Sequence, residues 1–559
     1  MNEDPATPNA LSRQPRNRQD ALSGHELIAR SLCELGITHV FGISGTPVRE
    51  TLAACARRGL RVIGARHQQA ATMMAAAQNH ACGRLVTAVI LSAGPAITNA
   101  ATGILVCHDN GWPLLVLGGR RPLHMRHLGS FQELDATAVY GPITKLAGLV
   151  ERTADIPHAL VRASGVAMSG RPGPVYLDVA EEALHGTAIA GHPPLPRPQP
   201  PPIEPALLDR ASELLLSAER PVIIIGDQLR WSAPFAELAE LVTLLGTPFV
   251  TSPMARGYLP DDHPLCHNAA SATALSTADT ILVAGARLDW TFRYGAEFAR
   301  DAKVILIGAE EQQSCLNITP AVAIAGDPKV ILSEVMARLI RHVPDPRRRA
   351  GWHENLAAKR QATIEKRIAL AQRDALPMSA QRLILEIRDF VPREAICVVD
   401  GNIIMVAAQQ LLPSYLPVSR YTPGHNGCMG TGIPFGIGAK LAFSDRPVVV
   451  ICGDFAFGLN AMEMETAVRL RVPIIVIIAN NDGNGEALLQ QKFYGEGYPD
   501  RVTMFQPGLR YEEIMRSFGG HAEYCEHPSE IGPAFRRAVA SGLPACINVR
   551  VDPQSPMPT

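Results

Sequence analysis

The chain has 559 residues, 47% hydrophobic and 19% charged, which is too long for one core and enough for roughly three or four domains. Its 52 basic and 53 acidic side chains leave a net charge of −1, so no broad field exists to hold nucleic acid or an anionic membrane, and a small molecule is the expected partner. The 11 cysteines, among them Cys33, Cys55, Cys82 and Cys107, lack CxxC spacing, which argues against a disulfide framework or structural zinc and for the reducing cytoplasm.

Residues 1–20 are rich in Pro, Asn, Arg and Gln without an apolar core, the pattern of a disordered tail rather than a signal peptide. A first block covers 21–190. Proline dominates 191–205, which reads as a linker to a second block, 206–342. The stretch HVPDPRRRA at 342–350 introduces another linker, 343–377, before a third block, 378–559. Short Val/Ile/Leu runs at 222–226, 280–285, 303–307, 396–399 and 448–452 alternate with longer helical patterns. The alternation predicts an α/β protein of three doubly wound parallel-sheet domains, with ligand groups at strand C-termini. Apolar runs such as 473–479 fall far below the ~20 residues of a membrane helix.

Two runs in the last block end in polar clusters: VVVICGDFAFGLN at 448–460 and IIVIIANNDG at 474–483. The interval from Asp454 to Asn481, 481 − 454 = 27 residues, fits a strand, a helix and a second parallel strand whose ends lie side by side. A carboxylate, a carboxamide oxygen and a nearby carbonyl form an all-oxygen site, suited to hard Mg²⁺ that keeps phosphate oxygens in its other positions. Gly453 and a helix opening near Ala456 let backbone N–H groups approach an anion. Gly-Asp or Asn-Asn alone is a common turn; the pair at this spacing carries the argument.

Gly453-Asp454, the interval and Asn480-Asn481 resemble the signature of thiamine-diphosphate-dependent decarboxylases, synthases and lyases, and the likeness extends over almost the whole chain after residue 20. It implies Asp454, Asn481 and the Gly483 carbonyl as metal ligands, with Gly453, Phe455 and Ala456 beside the diphosphate. GHNGCMGTGIPFGIG at 424–438 resembles the segment in which a bulky apolar residue bends the cofactor to bring its 4′-amino group to the reactive C2. Met429 matches that residue, and Gly427 the backbone contact to the aminopyrimidine. Gly401 and Asn402, at another strand end, are either diphosphate contacts or a simple turn.

In the first block, GITHVFGISGTP at 36–47 and VIGARHQQAA at 62–71 resemble the pyrimidine-binding domain, with Gly45 and Gln68 as cofactor contacts. Relatives carry Glu at the second site, where it bonds N1′ of the ring and drives the tautomer that removes the C2 proton. Gln68 can hydrogen-bond N1′ but cannot exchange a proton near neutral pH, so activation is expected to slow by about 10²–10⁴. Three readings follow. Another step limits turnover; or His67 or a water substitutes; or the chain binds cofactor without turnover, by nature or through an engineered change at Gln68. His67 as an ordinary helix start is the alternative to His67 as a base. LSAGPAITN at 91–99 resembles the family's Gly-Pro-Gly-Ala-Thr-Asn turn, with Ala96 replacing a glycine and Pro95 and Asn99 near the cofactor. GSFQELD at 129–135 matches the Phe-Gln-Glu loop that approaches C2 in synthases and acyl-CoA lyases, making Phe131 and Gln132 substrate-side candidates.

GARLDWTFRYG at 285–295 resembles the Gly-Ala-Arg-Leu-Asn-Trp stretch of oxalyl-CoA decarboxylases and 2-hydroxyacyl-CoA lyases, and GDFAFG at 453–458 points the same way. The Phe-Gln-Glu loop favours the lyase, which implies cleavage of a 2-hydroxyacyl-CoA thioester to formyl-CoA and an aldehyde, or the reverse. Asp482-Gly-Asn-Gly-Glu486 replaces the lyases' usual Asn-Gly-Ile-Tyr, so the residues facing substrate are expected to differ. Gly308-Ala309-Glu310 replaces an acid-rich Asp-Ile-Asp, which puts FAD or ADP binding by the central domain in doubt. Acetolactate-synthase-like carboligation or 2-oxo-acid decarboxylation is the enzymatic alternative, and a non-catalytic paralogue the other. Arg120, Arg121, Arg126 and Arg293 are candidate anion contacts. The resemblance further implies a homodimer or dihedral homotetramer whose site joins one subunit's pyrimidine half to another's diphosphate half.

Overall fold

A computed structural model describes residues 21–189, 191, 202–309, 317–342, 346–484, 493–495 and 502–555. The expected tail at 1–20, most of the 191–205 linker, Glu310, Gly485 and Glu486 lie outside the described residues.

Three parallel sheets organise the chain. In the first, Arg61–Gly64, His39–Gly42, Thr87–Leu91, Leu114–Arg120, Pro174–Ala180 and Leu146–Val150 lie side by side in that order. The central sheet runs Phe249–Thr251, Pro221–Ile225, Thr280–Ala284, Lys303–Gly308 and Val322–Ala325. The third runs Arg420–Tyr421, Ile396–Asp400, Val448–Gly453, Ile474–Asn480, Ala545–Arg550 and His521–Cys525. Counted in chain order within each, the first and third sheets share the sequence 2-1-3-4-6-5. The continuous β-branched runs form central strands because helices cover both faces and leave no solvent side to demand alternation.

The register places the site. Val448–Gly453 pairs Gly453 with Ala479 and Cys452 with Asp400, so Asp400, Asp454 and Asn481 emerge together at the C-terminal ends of neighbouring interior strands of the third sheet. The first and third domains share a core: Met73, Met74 and Ala75 of the Gln68–Cys82 helix join Ile433, Phe435 and Ile437 of the Gly432–Ala442 helix. The helices approach so closely that a Cβ on Gly438 would lie 2.3 Å from the Met74 carbonyl oxygen.

Both expected linkers carry helical structure. Residues 343–377 include a 22-residue helix, Ala350–Ala371, in which only Leu356 and Ala371 are buried; so narrow an apolar contact leaves no helical period in the sequence. Arg349 ahead of it is buried and donates to the carbonyls of Leu245, Leu215 and Ala218, so this basic run is not wholly solvated. Pro205, placed at the end of the first linker, begins the Pro205–Ser217 helix, a position where proline's missing N–H costs nothing. Among the described residues no helix is long and apolar enough to cross a membrane.

Candidate active site

Asp454, 1% exposed, opens the Asp454–Asn460 helix at the end of its strand. Burial pushes its carboxyl up to about 7, against the opposing effect of N–H donors from Gly483 and Phe455 at 3.0 and 2.7 Å. The Asn481 carboxamide oxygen faces two further acceptors, 3.2 Å from Oδ1 of Asp454 and 3.1 Å from the Gly483 carbonyl oxygen. Turning the amide over would let its NH₂ bond both; as oriented, a cation reconciles the trio. Octahedral Mg²⁺ at about 2.1 Å from each oxygen sets neighbouring ligands about 3.0 Å apart, so these residues fit a divalent ion, which would also favour the Asp454 anion.

These oxygens open on a cleft lined by Gly401, Asn402, Met429, Gly453, Asp454, Phe455, Ala456, Asn481 and Gly483. Ile404, Asn484, Asp552 and Ser555 line it too. Sequence reasoning missed Asp552 and Ser555 because long-range backbone bonds, from Val551 N–H to the Asn480 carbonyl at 2.9 Å and from Asp552 N–H to the Met378 carbonyl at 2.8 Å, bring that segment to the cleft. Asp482 adopts φ +58°, pairs with Arg550 at 2.6 Å and does not line the cleft. Asp400 lies beneath Gly401, its carboxylate accepting from Gly401 and Gly432 N–H at 2.7 Å each, and burial pushes its carboxyl up to about 6. Gly401 itself needs φ +108°, a conformation side chains resist.

The Met429 segment is fixed by the other two domains. His425 is clamped between two carboxylates of the central domain, Nδ1 to Asp289 Oδ2 at 2.7 Å and Nε2 to Asp227 Oδ1 at 3.1 Å. Burial alone would lower its pKa, but Asp227 and Asp289 raise it to about 9, so the ring is an imidazolium at neutral pH. The Trp290 indole donates to the His425 carbonyl at 2.9 Å. From the first domain, Asn110 Oδ1 accepts the His425 N–H at 2.8 Å and Asp109 Oδ2 accepts from Asn426 at 2.6 Å. Two residues on, Gly427 turns with φ +71°, and a Cβ there would meet nothing within 4 Å, leaving open space above the backbone. The 285–290 stretch and the 424–438 segment each carried a signal in sequence; the bonds between them did not.

The N-terminal candidates gather elsewhere. Gln68 begins the Gln68–Cys82 helix, and its Oε1 accepts from Asn99 Nδ2 at 3.0 Å. His67 is the N-cap, Nδ1 accepting the Gln69 N–H at 3.2 Å, which is the ordinary helix-start role. Glu463, a buried carboxylate of the third domain that sequence reasoning missed, reaches across to accept the Arg66 and His67 N–H groups at 2.9 and 3.0 Å. Pro95 starts the Pro95–Asn110 helix, and Gly45 abuts Ser92, whose Cβ would stand 2.8 Å from an added one. Gln132 adopts φ +59° against Gly94, while Phe131 is 71% exposed. None of Gly45, Gln68, Pro95, Asn99, Phe131 or Gln132 lines the Asp454 cleft. Arg120, Arg121, Arg126 and Arg293 are paired with Asp178, Glu181, Asp135 and Glu297 respectively.

Three parallel-sheet domains, with an oxygen cluster for a divalent ion at the strand ends of the last, define an enzyme built around thiamine diphosphate. The thiamine pyrophosphate enzyme family matches in three parts: N-terminal TPP binding domain at 22–139, central domain at 208–335 and C-terminal TPP binding domain at 401–549. The chain belongs to this family and is an enzyme that makes or breaks C–C bonds with thiamine diphosphate and a divalent metal. It is 32% identical to 2-hydroxyacyl-CoA lyase of Oryza sativa subsp. japonica over 95% of this chain and 96% of the relative. It is 33% identical to acetolactate synthase large subunit IlvG of Mycobacterium tuberculosis, with the same coverage. Oxalyl-CoA decarboxylase of Escherichia coli is 30% identical over 95% of each chain.

Proposed function

We propose that the chain is a 2-hydroxyacyl-CoA lyase, cleaving the bond between C1 and C2 of a 2-hydroxyacyl thioester to give formyl-CoA and an aldehyde, or running the reverse condensation. The observation that carries this reading is the seat of the lyase-like 285–290 stretch against the cofactor segment, where Asp289 and Trp290 both bond His425. Asp454, Asn481 and the Gly483 carbonyl hold Mg²⁺. Gly401, Asn402, Gly453, Phe455 and Ala456 surround the diphosphate, Gly427 and Met429 face the aminopyrimidine, and Gly45, Gln68, Pro95 and Asn99 approach its other edge. Bound thiamine diphosphate supplies the nucleophilic carbon and holds the electron pair of the broken bond. Gln68 orients the ring without exchanging a proton, and Phe131 and Gln132 take the substrate side.

Because Gln68 and Phe131 lie outside the Asp454 cleft, a second copy of the chain completes each site, making the smallest working unit a dimer. A monomer in sedimentation that binds cofactor at full stoichiometry would refute this. For the activity, holoenzyme given a 2-hydroxyacyl-CoA should release formyl-CoA and aldehyde. One observation favours a second reading, acetolactate-type carboligation: the four candidate arginines are ion-paired, which leaves none of them for the phosphates of CoA. Acetolactate and CO₂ from pyruvate, with hydroxyacyl-CoA untouched, would establish that reading instead.

A further inference from the structure

We propose that the N-terminal domain holds a second divalent-metal site, formed by His25, Glu50 and His185 and suited to a borderline transition ion such as Zn²⁺. One ligand atom from each residue lies within 4.8 Å of the others. They come from three helices, Gly24–Glu34, Arg49–Arg57 and Glu181–His185. These helices cover the face of the first sheet opposite the Gln68–Cys82 helix: Val40, Ile90 and Val175 belong to the core beneath them, whereas Phe41, Val89 and Tyr176 of the same strands face the cofactor side.

The second observation is His25 itself. The residue is 3% exposed, yet its Nε2 has no hydrogen-bond partner among the described residues. Nδ1 lies 2.8 Å from Thr51 Oγ1; if Nδ1–H donates there, the lone pair stays on Nε2 and points at the cluster. A hydroxyl or carboxylate on the far nitrogen is how metal-binding imidazoles are oriented. Burial lowers the His25 pKa, Glu50 acting against it, so the ring is neutral at physiological pH and its lone pair is available.

The distances suit a tetrahedral ion. Glu50 Oε2 is 3.4 Å from His25 Nε2, and tetrahedral Zn²⁺ with bonds of about 2.0–2.2 Å sets its ligands about 3.4 Å apart. The His185 ring centroid is 5.2 Å from that of His25, and its exposed side chain can rotate to close the remainder. The open side leaves a fourth position for water. Two imidazoles and one carboxylate favour Zn²⁺, Ni²⁺ or Cu²⁺ over Mg²⁺, so this site would not compete for the ion beside Asp454. The nearby charges are neutralised: Glu26, beside His25, is paired with Arg57 and Arg58. A metal here would clip the start of the block to its end, where Leu22–Ser23 already pairs with Thr187–Ala188. Its role would be to hold the domain together rather than to turn over substrate.

The test uses full-length protein stripped by chelator, saturated with thiamine diphosphate and Mg²⁺, and titrated with Zn²⁺. Bound zinc is measured by equilibrium dialysis and the thermal midpoint by calorimetry. We expect one zinc per chain and a midpoint that rises with free zinc. The exposed substitutions Glu50→Gln and His185→Asn should fold normally without metal, weaken zinc binding at least about tenfold and abolish the zinc-dependent rise. Zinc binding or stabilisation equal in wild type and both variants, or no bound zinc in the wild type, would overturn the site.

Discussion

The first and third domains repeat one strand order and yet present opposite chemistry. At the strand ends of the third stand buried carboxylates, Asp400 and Asp454, each held by backbone N–H groups and each with its pKa raised by burial. The cofactor candidates of the first are two amides, a glycine and a proline: Gln68, Asn99, Gly45 and Pro95. A buried carboxylate converging on amide and carbonyl oxygens, as Asp454 does, suits a cation, whereas amides suit a neutral ring that both donates and accepts. Topology supplies two equivalent ledges, and the side chains at the strand ends set what each can bind.

The comparison breaks most severely if Asp454 is dispensable. Asp454→Ala should remove the divalent ion and reduce turnover by at least about 10³, read with saturating cofactor. Mixing it with a separately inactive Phe131→Ala/Gln132→Ala chain should restore about a quarter of wild-type activity, since half of the dimers are hybrids and each hybrid has one intact site. No recovery after confirmed subunit exchange would place both halves in one chain. Gln68→Glu sharpens the contrast by giving the amide half its missing acid: hydrogen–deuterium exchange at C2 of bound cofactor should rise by about 10²–10⁴. Unchanged exchange would mean that another group already moves that proton.

A smaller effect tests the joint between the domains. The His425 pKa lies above its ordinary 6.5, at about 9, so the folded state binds the extra proton; its stabilising contribution is complete below about 6.5 and lost as pH rises through 9. The thermal midpoint should fall across that window. Asp289→Asn should move the fall to lower pH, because one of two carboxylates facing the ring is neutralised. His425→Ala should destabilise by about 3–5 kcal/mol, since Asp227 would stay buried without its counter-charge. A midpoint independent of pH between 6 and 10 in wild type would remove the imidazolium from the account.

Fold class was legible because a strand such as 448–453, Val-Val-Val-Ile-Cys-Gly, allows few alternatives to a doubly covered parallel sheet. The meeting of Asp454 and Asn481 was legible for a local reason: they sit where adjacent strands end, and sequence distance becomes spatial proximity over one crossover. The Ala350–Ala371 helix was not, because two buried residues in 22 impose no period. Nor was the His425 clamp, whose partners lie 136 and 198 residues away on the central domain. Pairings of that kind depend on how domains dock, and no spacing rule within one element reports them.

Glu463 shows the same limit and provides the finest test of how the two ledges are joined. It reaches from the third domain to the start of the Gln68 helix, where Oε1 takes two backbone N–H groups and Oε2 accepts from Thr466 at 2.7 Å. A helix N-terminus favours negative charge there, and those donors belong to the two residues just before Gln68. Glu463→Gln keeps an oxygen for the N–H pair and loses the charge, which burial already disfavours by raising the carboxyl pKa, so it should cost no more than about 1 kcal/mol in denaturant unfolding. Glu463→Ala leaves both N–H groups without their acceptor and should cost about 2–3 kcal/mol. In a Gln68→Glu background the alanine variant should also slow C2 exchange, because the backbone presenting residue 68 loses its anchor, while the glutamine variant should not. Equal losses from the two substitutions would reduce Glu463 to a buried charge with no part in presenting the pyrimidine half to its cofactor.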